Sequence, residues 1–233
     1  MLADIEPVNR ESTASIIARQ LRDAITTGSL PPGTQLGEAD LAARFKVSRG
    51  PLREAMQRLV SEGLLRSEPH RGLFVIELEP EDVHDIYWVR SAIERAAAQR
   101  VIRGPERERV ADVLSDAVAA MAEADEKDDP TALSEADLAF HEALIEASGS
   151  KRLVRMARTL LIETRMCLSA LQDTYGKGYQ GVDERIAEHN RIIEALLDGD
   201  EERMLALLDA HMEDAVQRLA PGTSVMTEWS ERK

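Results

Sequence analysis

The stretch that most constrains this chain runs from Val47 to Leu65, V-S-R-G-P-L-R-E-A-M-Q-R-L-V-S-E-G-L-L. Leu52, Ala55, Met56, Leu59 and Val60 recur at i, i+3, i+4, i+7 and i+8, the period of a helix with one buried stripe. Ser48 stands where an N-cap belongs, because its hydroxyl can accept from a free backbone N–H of the first turn. Pro51 falls within that turn, where its missing N–H costs little. Gly63 suits the left-handed residue that ends a helix. The opposite face carries Arg49, Arg53 and Gln57, spaced by four so that they project together. In a lone helix such a face would simply be solvated; the flanking segments make it part of something larger.

Residues 13–27 predict a first helix, with Ile17, Leu21 and Ile25 on one side and Gly28 just past its end. S-L-P-P-G-T-Q-L reads as a turn and a short extended piece. A second helix runs from Glu38 to Phe45, with Leu41 and Phe45 facing inward. Only Lys46 and Val47 separate it from Ser48, so the second and third helices form a helix-turn-helix unit. Leu64–Ser67 and Leu73–Leu78 then read as two short strands, joined by the loop Pro69-His70-Arg71-Gly72, a wing. From about residue 80 the pattern is helical, in six segments: 81–103, 105–127, 131–148, 150–173, 182–198 and 200–219. The breaks fall at Gly104-Pro105, Asp129-Pro130, Gly149, Gly176-Lys177-Gly178 and Asp198-Gly199-Asp200. The expected fold is therefore mainly α: a winged helix-turn-helix over 1–78, an all-α antiparallel helical bundle of about six helices over 79–220, and a tail over 221–233.

Length and composition agree with two domains. A chain of 233 residues can bury two cores without disulfides or metals, and few aromatics beside abundant Ala, Leu, Glu and Arg favour helix. Cys167 is the only cysteine, so no intrachain disulfide forms and nothing points to an oxidising compartment. The N-terminus lacks the apolar core of a signal peptide, and no apolar run approaches a membrane span; a cytoplasmic protein is expected. The net charge of −14 opposes nucleic acid only when read over the whole chain. Residues 1–78 hold ten basic and ten acidic side chains, and the remainder holds nineteen basic against thirty-three acidic. The first part can offer DNA a locally basic face; the second would repel it.

The words L-P-P-G-T-Q-L, E-A-D-L-A-A-R-F-K-V-S-R-G-P-L-R-E-A-M-Q-R-L, E-G-L-L and P-H-R-G-L-F-V, in that order and spacing, resemble the winged-helix domain of GntR-family bacterial transcription regulators. The resemblance covers about residues 12–78. It implies that Arg49 and Arg53 contact the major groove or its phosphates, and that the wing tip, His70, Arg71 and Gly72, enters the adjacent minor groove. Arg44 and Ser48 are expected as phosphate contacts. The chemistry agrees: arginine can grip guanine or clamp a phosphate, and Gly72 allows close backbone approach. Ala39 departs from the pattern. Many relatives carry Arg there, so their operator preference does not carry over.

The histidines of the second part suggest a site. Asp137 and His141 lie four apart in D-L-A-F-H and share a helix face. His189 lies ten residues before Gly199 and His211 twelve after it. In an antiparallel hairpin with a rise of ~1.5 Å per residue, both sit about 15–18 Å from the turn and can face each other. Asp137 and His141 from a third helix can then complete a cage suited to Zn²⁺, Ni²⁺ or Mn²⁺. Spacing alone equally describes a helix ion pair and ordinary part-buried histidines. However, D-L-A-F-H, A-E-H-N-R-I-I-E-A-L-L-D-G-D and L-L-D-A-H-M resemble the metal-bearing helices of the FCD effector domain, found in the FadR-like branch of GntR regulators. D-I-Y-W-V-R-S-A-I-E also fits the start of that domain. The resemblance covers about residues 80–218 and keeps all four positions; His84 matches none and is expected at the surface. It implies a divalent transition metal, zinc first, that helps hold a small carboxylate effector. Arg90 matches a position often turned toward that effector, although a surface bridge to Glu94 at i+4 explains it equally well. Arg165 is a second candidate.

The expected function is a cytoplasmic, homodimeric transcription regulator, a repressor by the commonest behaviour of the family. It would bind a short palindromic DNA operator under the control of a small organic or sugar acid. A regulator for which the metal itself is the signal is the first alternative. A metal-dependent enzyme is the second, but Glu142 and Glu188, the sequence neighbours of ligands, point away from them and offer no evident general base.

Overall fold

The structure, a computed structural model, describes residues 11–175 and 181–220. The break at Gly176-Lys177-Gly178, the N-terminal residues read for a signal peptide and the tail 221–233 lie outside the described residues. The chain divides into two compact units, Met1–Glu77 and Leu78–Lys233.

In the first unit, α1 (Thr13–Thr26) is opened by Ser12, whose hydroxyl accepts from the backbone N–H of Ser15 at 3.1 Å. It buries Ile17, Leu21 and Ile25. β1 (Gln35–Leu36), α2 (Glu38–Phe45) and α3 (Arg49–Ser61) follow, then β2 (Leu65–Glu68) and β3 (Gly72–Val75). The strands form an antiparallel sheet in the order β1-β3-β2, with Leu65 opposite Val75 and Glu68 opposite Gly72. The wing is thus a tight hairpin; relative to the sequence expectation its first strand is displaced by one residue, and its second starts one residue earlier and is shortened. The extended piece before α2 supplies the third strand.

Three details of the helix-turn-helix differ from expectation. Leu52, Ala55, Met56 and Leu59 are buried on α3, but Val60 is only half-buried. At about 100° per residue, i+8 lies about 80° around the helix from Leu52, on the border of the stripe. Ser48 occupies the N-cap position, yet its side chain makes no cap hydrogen bond. Leu41 and Phe45 are half-buried, because an eight-residue helix packed along one side covers little of its apolar face.

The second unit contains α4 (Pro80–Ile102), α5 (Arg107–Glu126), α6 (Pro130–Ala147), α7 (Lys151–Tyr175), α8 (Val182–Asp198) and α9 (Glu201–Leu219). Local chemistry sets their ends. Glu79 and Asp82 form a reciprocal capping box at the start of α4. Asp129 caps α6 through the N–H of Ala132, with Pro130 next to it. Asp200 caps α9 through the N–H of Arg203, and Gly199 (φ +71°) ends α8 in the left-handed region. That last turn makes α8 and α9 an antiparallel hairpin. The core includes Leu114, Met121, Phe140, Leu144, Ile192, Leu196, Met204 and Leu208. Among these apolar side chains lie buried Arg90, Glu94, His141, Thr164, His189 and His211. No helix of the described residues is long and apolar enough to cross a membrane.

Candidate functional site

Three helices deliver the four predicted ligands to one point. Asp137 and His141 come from α6, His189 from α8 and His211 from α9, and one ligand atom from each lies within 4.8 Å of the others. The three histidines are buried and Asp137 is nearly so. The hairpin places the rings of His189 and His211 4.6 Å apart between centroids, in line with their similar spacing, ten and twelve residues, about Gly199. Phe140 packs edge-on against His141 and His189, at 5.5 and 4.5 Å, which restricts both rings.

The outer nitrogen of each ring is engaged. His141 Nδ1 lies 2.6 Å from Glu94 Oε2, His189 Nδ1 donates to the Arg185 carbonyl at 2.8 Å, and His211 Nδ1 lies 3.0 Å from Glu188 Oε2. Bonds to ionised or carbonyl oxygens place the hydrogen on Nδ1 and leave the Nε2 lone pair pointing inward. His141 Nε2 and His211 Nε2 then stand 3.2 Å apart. His189 Nε2 is buried with no hydrogen-bond partner, 3.5 Å from Asp137 Oδ1. Inward-facing lone pairs beside a carboxylate, one of them on a buried nitrogen with no hydrogen-bond partner, fit a cation. The cluster can hold a metal ion.

The electrostatics agree with that donor set. Burial, then the neighbouring His211 ring, pulls the His189 pKa down to about 3, so the ring is neutral and able to ligate. Burial likewise lowers His141, against the opposing pull of Glu94. Burial raises the Asp137 carboxyl, but His189, His141 and His211 outweigh it and hold it well below the usual carboxylate range. For Glu94, burial is outweighed by His141 and Arg90 together, which hold it at about 2.

Arg90 is 1% exposed, so the surface bridge to Glu94 considered from sequence exists as a pair but lies in the core. Its Nε donates to Glu94 Oε1 at 2.8 Å, its Nη1 lies 3.4 Å from Thr164 Oγ1, and its guanidinium is 5.0 Å from the Tyr87 ring centre. Arg165 makes a two-pronged bridge to Glu135, 2.7 Å on each arm, at a part-exposed position. Sequence reasoning missed Glu94, Glu188 and the Arg185 carbonyl. Glu188, expected to point away from the ligands, reaches across the hairpin to one of them, His211, because a long side chain on α8 spans to the facing helix α9. The i+4 spacing of Arg90 and Glu94 was visible; that the pair would be buried beside His141 was not.

In the first unit Arg44, Ser48, Arg49, Arg53, His70, Arg71 and Gly72 are all exposed. Arg44 lies in the last turn of α2, and Ser48 and Arg49 open α3. Arg53 Nε bonds Glu38 Oε2 at 2.8 Å, tying α3 to α2. At the wing, His70 (φ +64°) and Gly72 (φ +101°) are left-handed, and the Arg71 guanidinium pairs with Glu68 and lies 5.1 Å from the Phe74 ring centre.

Comparison with known proteins gives this arrangement a family. Residues 13–75 match the bacterial regulatory proteins of the gntR family, and residues 85–214 match the FCD domain. The gluconate operon transcriptional repressor of Bacillus licheniformis is 31% identical over 89% of this chain and 85% of its own length. The Nta operon transcriptional regulator of Aminobacter aminovorans is 29% identical over 78% of this chain and 82% of its own. A GntR transcriptional regulator from Rhodococcus sp. RHA1, known from its crystal structure, superposes with a TM-score of 0.76 at 29% identity, over 91% of this chain and all of its own. Each of these relatives is named as a transcription regulator. With both halves matched and in the same order, this chain belongs to the gntR family of bacterial transcription regulators and carries an FCD domain as its second half.

Proposed function

We infer that this chain is a cytoplasmic, homodimeric transcription repressor whose operator binding is controlled by a small organic or sugar acid. The effector would be held at a metal-containing site made by Asp137, His141, His189 and His211. The observation that carries the reading is the convergence of three buried imidazoles whose Nδ1 atoms are already committed and whose Nε2 atoms face one carboxylate. Such nitrogen-rich sets suit Zn²⁺ first and Ni²⁺ or Mn²⁺ after it. A bound divalent ion with open positions supplies a local positive charge that attracts a carboxylate despite the acidic exterior. Arg90 would pair with that carboxylate; Arg165 would have to leave Glu135 to take part. Repression is supported by the name of the Bacillus licheniformis relative, and the gluconate of that name is itself a sugar acid.

In the first unit, Arg49 and Arg53 would enter the major groove, Arg44 and Ser48 would meet phosphates, and His70, Arg71 and Gly72 would reach the minor groove. Two copies related by a twofold axis would read a palindrome. Effector binding would shift the balance between DNA-competent and incompetent arrangements, which requires a different effector affinity in each.

The test has two steps. Metal analysis of gently purified protein should find one divalent ion per chain, lost in His189→Ala. A thermal-shift screen of the loaded protein against sugar acids, hydroxy acids and dicarboxylates should then single out one class, and that class should release the operator in a DNA-binding assay. Protein that binds no transition metal would sink the reading. Operator binding that follows metal alone, with no response to any acid, would make the metal the signal.

A further inference from the structure

We propose that Glu94 is the positioning residue that ties the histidine cage to the buried arginine, so that metal and anion are felt through one side chain. The inference rests on the reading of the cage as a metal site. Glu94 is 0% exposed, and both of its oxygens are used: Oε1 accepts from Arg90 Nε at 2.8 Å, and Oε2 faces His141 Nδ1 at 2.6 Å. One carboxylate thereby fixes the orientation of a cation and of a ligand ring, on two different helices.

The other two ring supports differ in kind. The Arg185 carbonyl that holds His189 belongs to the backbone. Glu188, which holds His211, keeps 17% of its side chain exposed, and water can take its place. Glu94 has no such substitute. Its replacement by glutamine is also chemically specific. Glutamine offers one acceptor oxygen and one donor NH₂ group. Turned either way, it presents a donor to Arg90 Nε or to His141 Nδ1. Facing NH₂, His141 must give up its Nδ1 hydrogen and carry it on Nε2, the atom aimed into the cage.

Arg90 depends on the same carboxylate. Its Nε is committed to Glu94, and its other close polar contact, to Thr164 Oγ1, is long at 3.4 Å. A group that neutralises this guanidinium would withdraw positive charge from Glu94 and so alter how strongly Glu94 supports His141. Linkage makes the effect reciprocal: metal at the cage changes the affinity of Arg90 for an anion by the same factor.

The experiment measures Zn²⁺ affinity of the metal-free full chain by competition with a chromophoric chelator, for wild type, Glu94→Gln, Glu188→Gln, Arg90→Met and the Arg90→Met/Glu94→Gln pair. Glu94→Gln is expected to lose about 10- to 100-fold in affinity and to change the Co²⁺ absorption spectrum. Glu188→Gln should lose less. Arg90→Met should shift affinity by about twofold or more in the wild-type background and not in the Glu94→Gln background, because the coupling runs through Glu94. Should Glu94→Gln fail to fold with Arg90 left unpaired, the double variant removes both charges of the buried pair and should still bind Zn²⁺ weakly. Wild-type affinity in Glu94→Gln or in the double variant overturns the proposal while leaving the cage intact. An Arg90→Met effect that persists without Glu94 also overturns it. Wild-type protein that takes up no Zn²⁺ removes the cage and this inference together.

Discussion

Two Arg–Glu pairs of this molecule have the same length and opposite meanings. Arg53 Nε lies 2.8 Å from Glu38 Oε2 in the first unit, and Arg90 Nε lies 2.8 Å from Glu94 Oε1 in the second. The side chains of the first pair are 61% and 37% exposed, and those of the second 2% and 0%. Water and salt already compete for the first pair, so holding it closed is worth at most ~1 kcal/mol. On the proposed reading, a DNA phosphate would take Arg53 from Glu38 at little cost. The second pair has no solvent to fall back on: breaking it by removing one partner leaves a buried charge and costs about 3–5 kcal/mol. Distance therefore says little about role. Exposure separates an arginine free to exchange partners from one that fixes the geometry around it.

The largest test of this contrast is stability. Glu94→Ala should destabilise the metal-free protein by about 3–5 kcal/mol in urea unfolding, whereas Glu38→Ala should stay within ~1 kcal/mol. Equal costs would erase the distinction between the pairs.

The next test is pH. His189 has an ordinary value of 6.5 and a folded value of about 3. The unfolded chain therefore takes up its proton below pH 6.5, while the folded chain resists until about pH 3. The metal-free protein should lose stability as pH falls through that window, by about 2 kcal/mol from this group at pH 5. Glu94, with an ordinary value of 4.5 and a folded value of about 2, contributes stability above pH 4.5 that is lost as pH falls toward 2. His189→Gln should flatten the decline between pH 6.5 and 5. A decline unchanged in that variant would assign it to other groups.

The smallest effects belong to the exposed pair. Arg53→Ala should weaken operator binding about tenfold and lower the log–log salt slope by about one. Glu38→Gln should leave stability within ~0.5 kcal/mol and raise operator affinity about twofold, because a carboxylate that competes with phosphate is gone. Weaker operator binding in Glu38→Gln would mean that Glu38 orients Arg53 for DNA instead of competing for it.

Much of this was written in periodicity. The buried stripe of α3, the similar spacing of His189 and His211 about Gly199, and the shared face of Asp137 and His141 are one-dimensional patterns. A helix turns them into three-dimensional ones with little freedom, because its rise and twist are nearly constant. Caps and breaks such as Asp129-Pro130 and Asp198-Gly199-Asp200 were legible for the same reason: they act through neighbours in the chain. The limits of local reading showed at element edges. There Val60 turned out of the stripe and the ends of the wing strands moved, because strand ends are set by pairing and not by propensity.

Sequence by itself determined the helices, the turn between the second and third of them, and which four side chains could meet. Only the tertiary structure decided that Arg90 and Glu94 are buried, that Glu94 faces His141, and that Glu188 reaches across a hairpin to His211. Those contacts join residues 47 and 23 positions apart, and no local rule fixes them. They follow from how α4, α6, α8 and α9 pack. In that packing a buried charge must find its partner among whatever side chains the neighbouring helices present, since burial without one is too costly to persist.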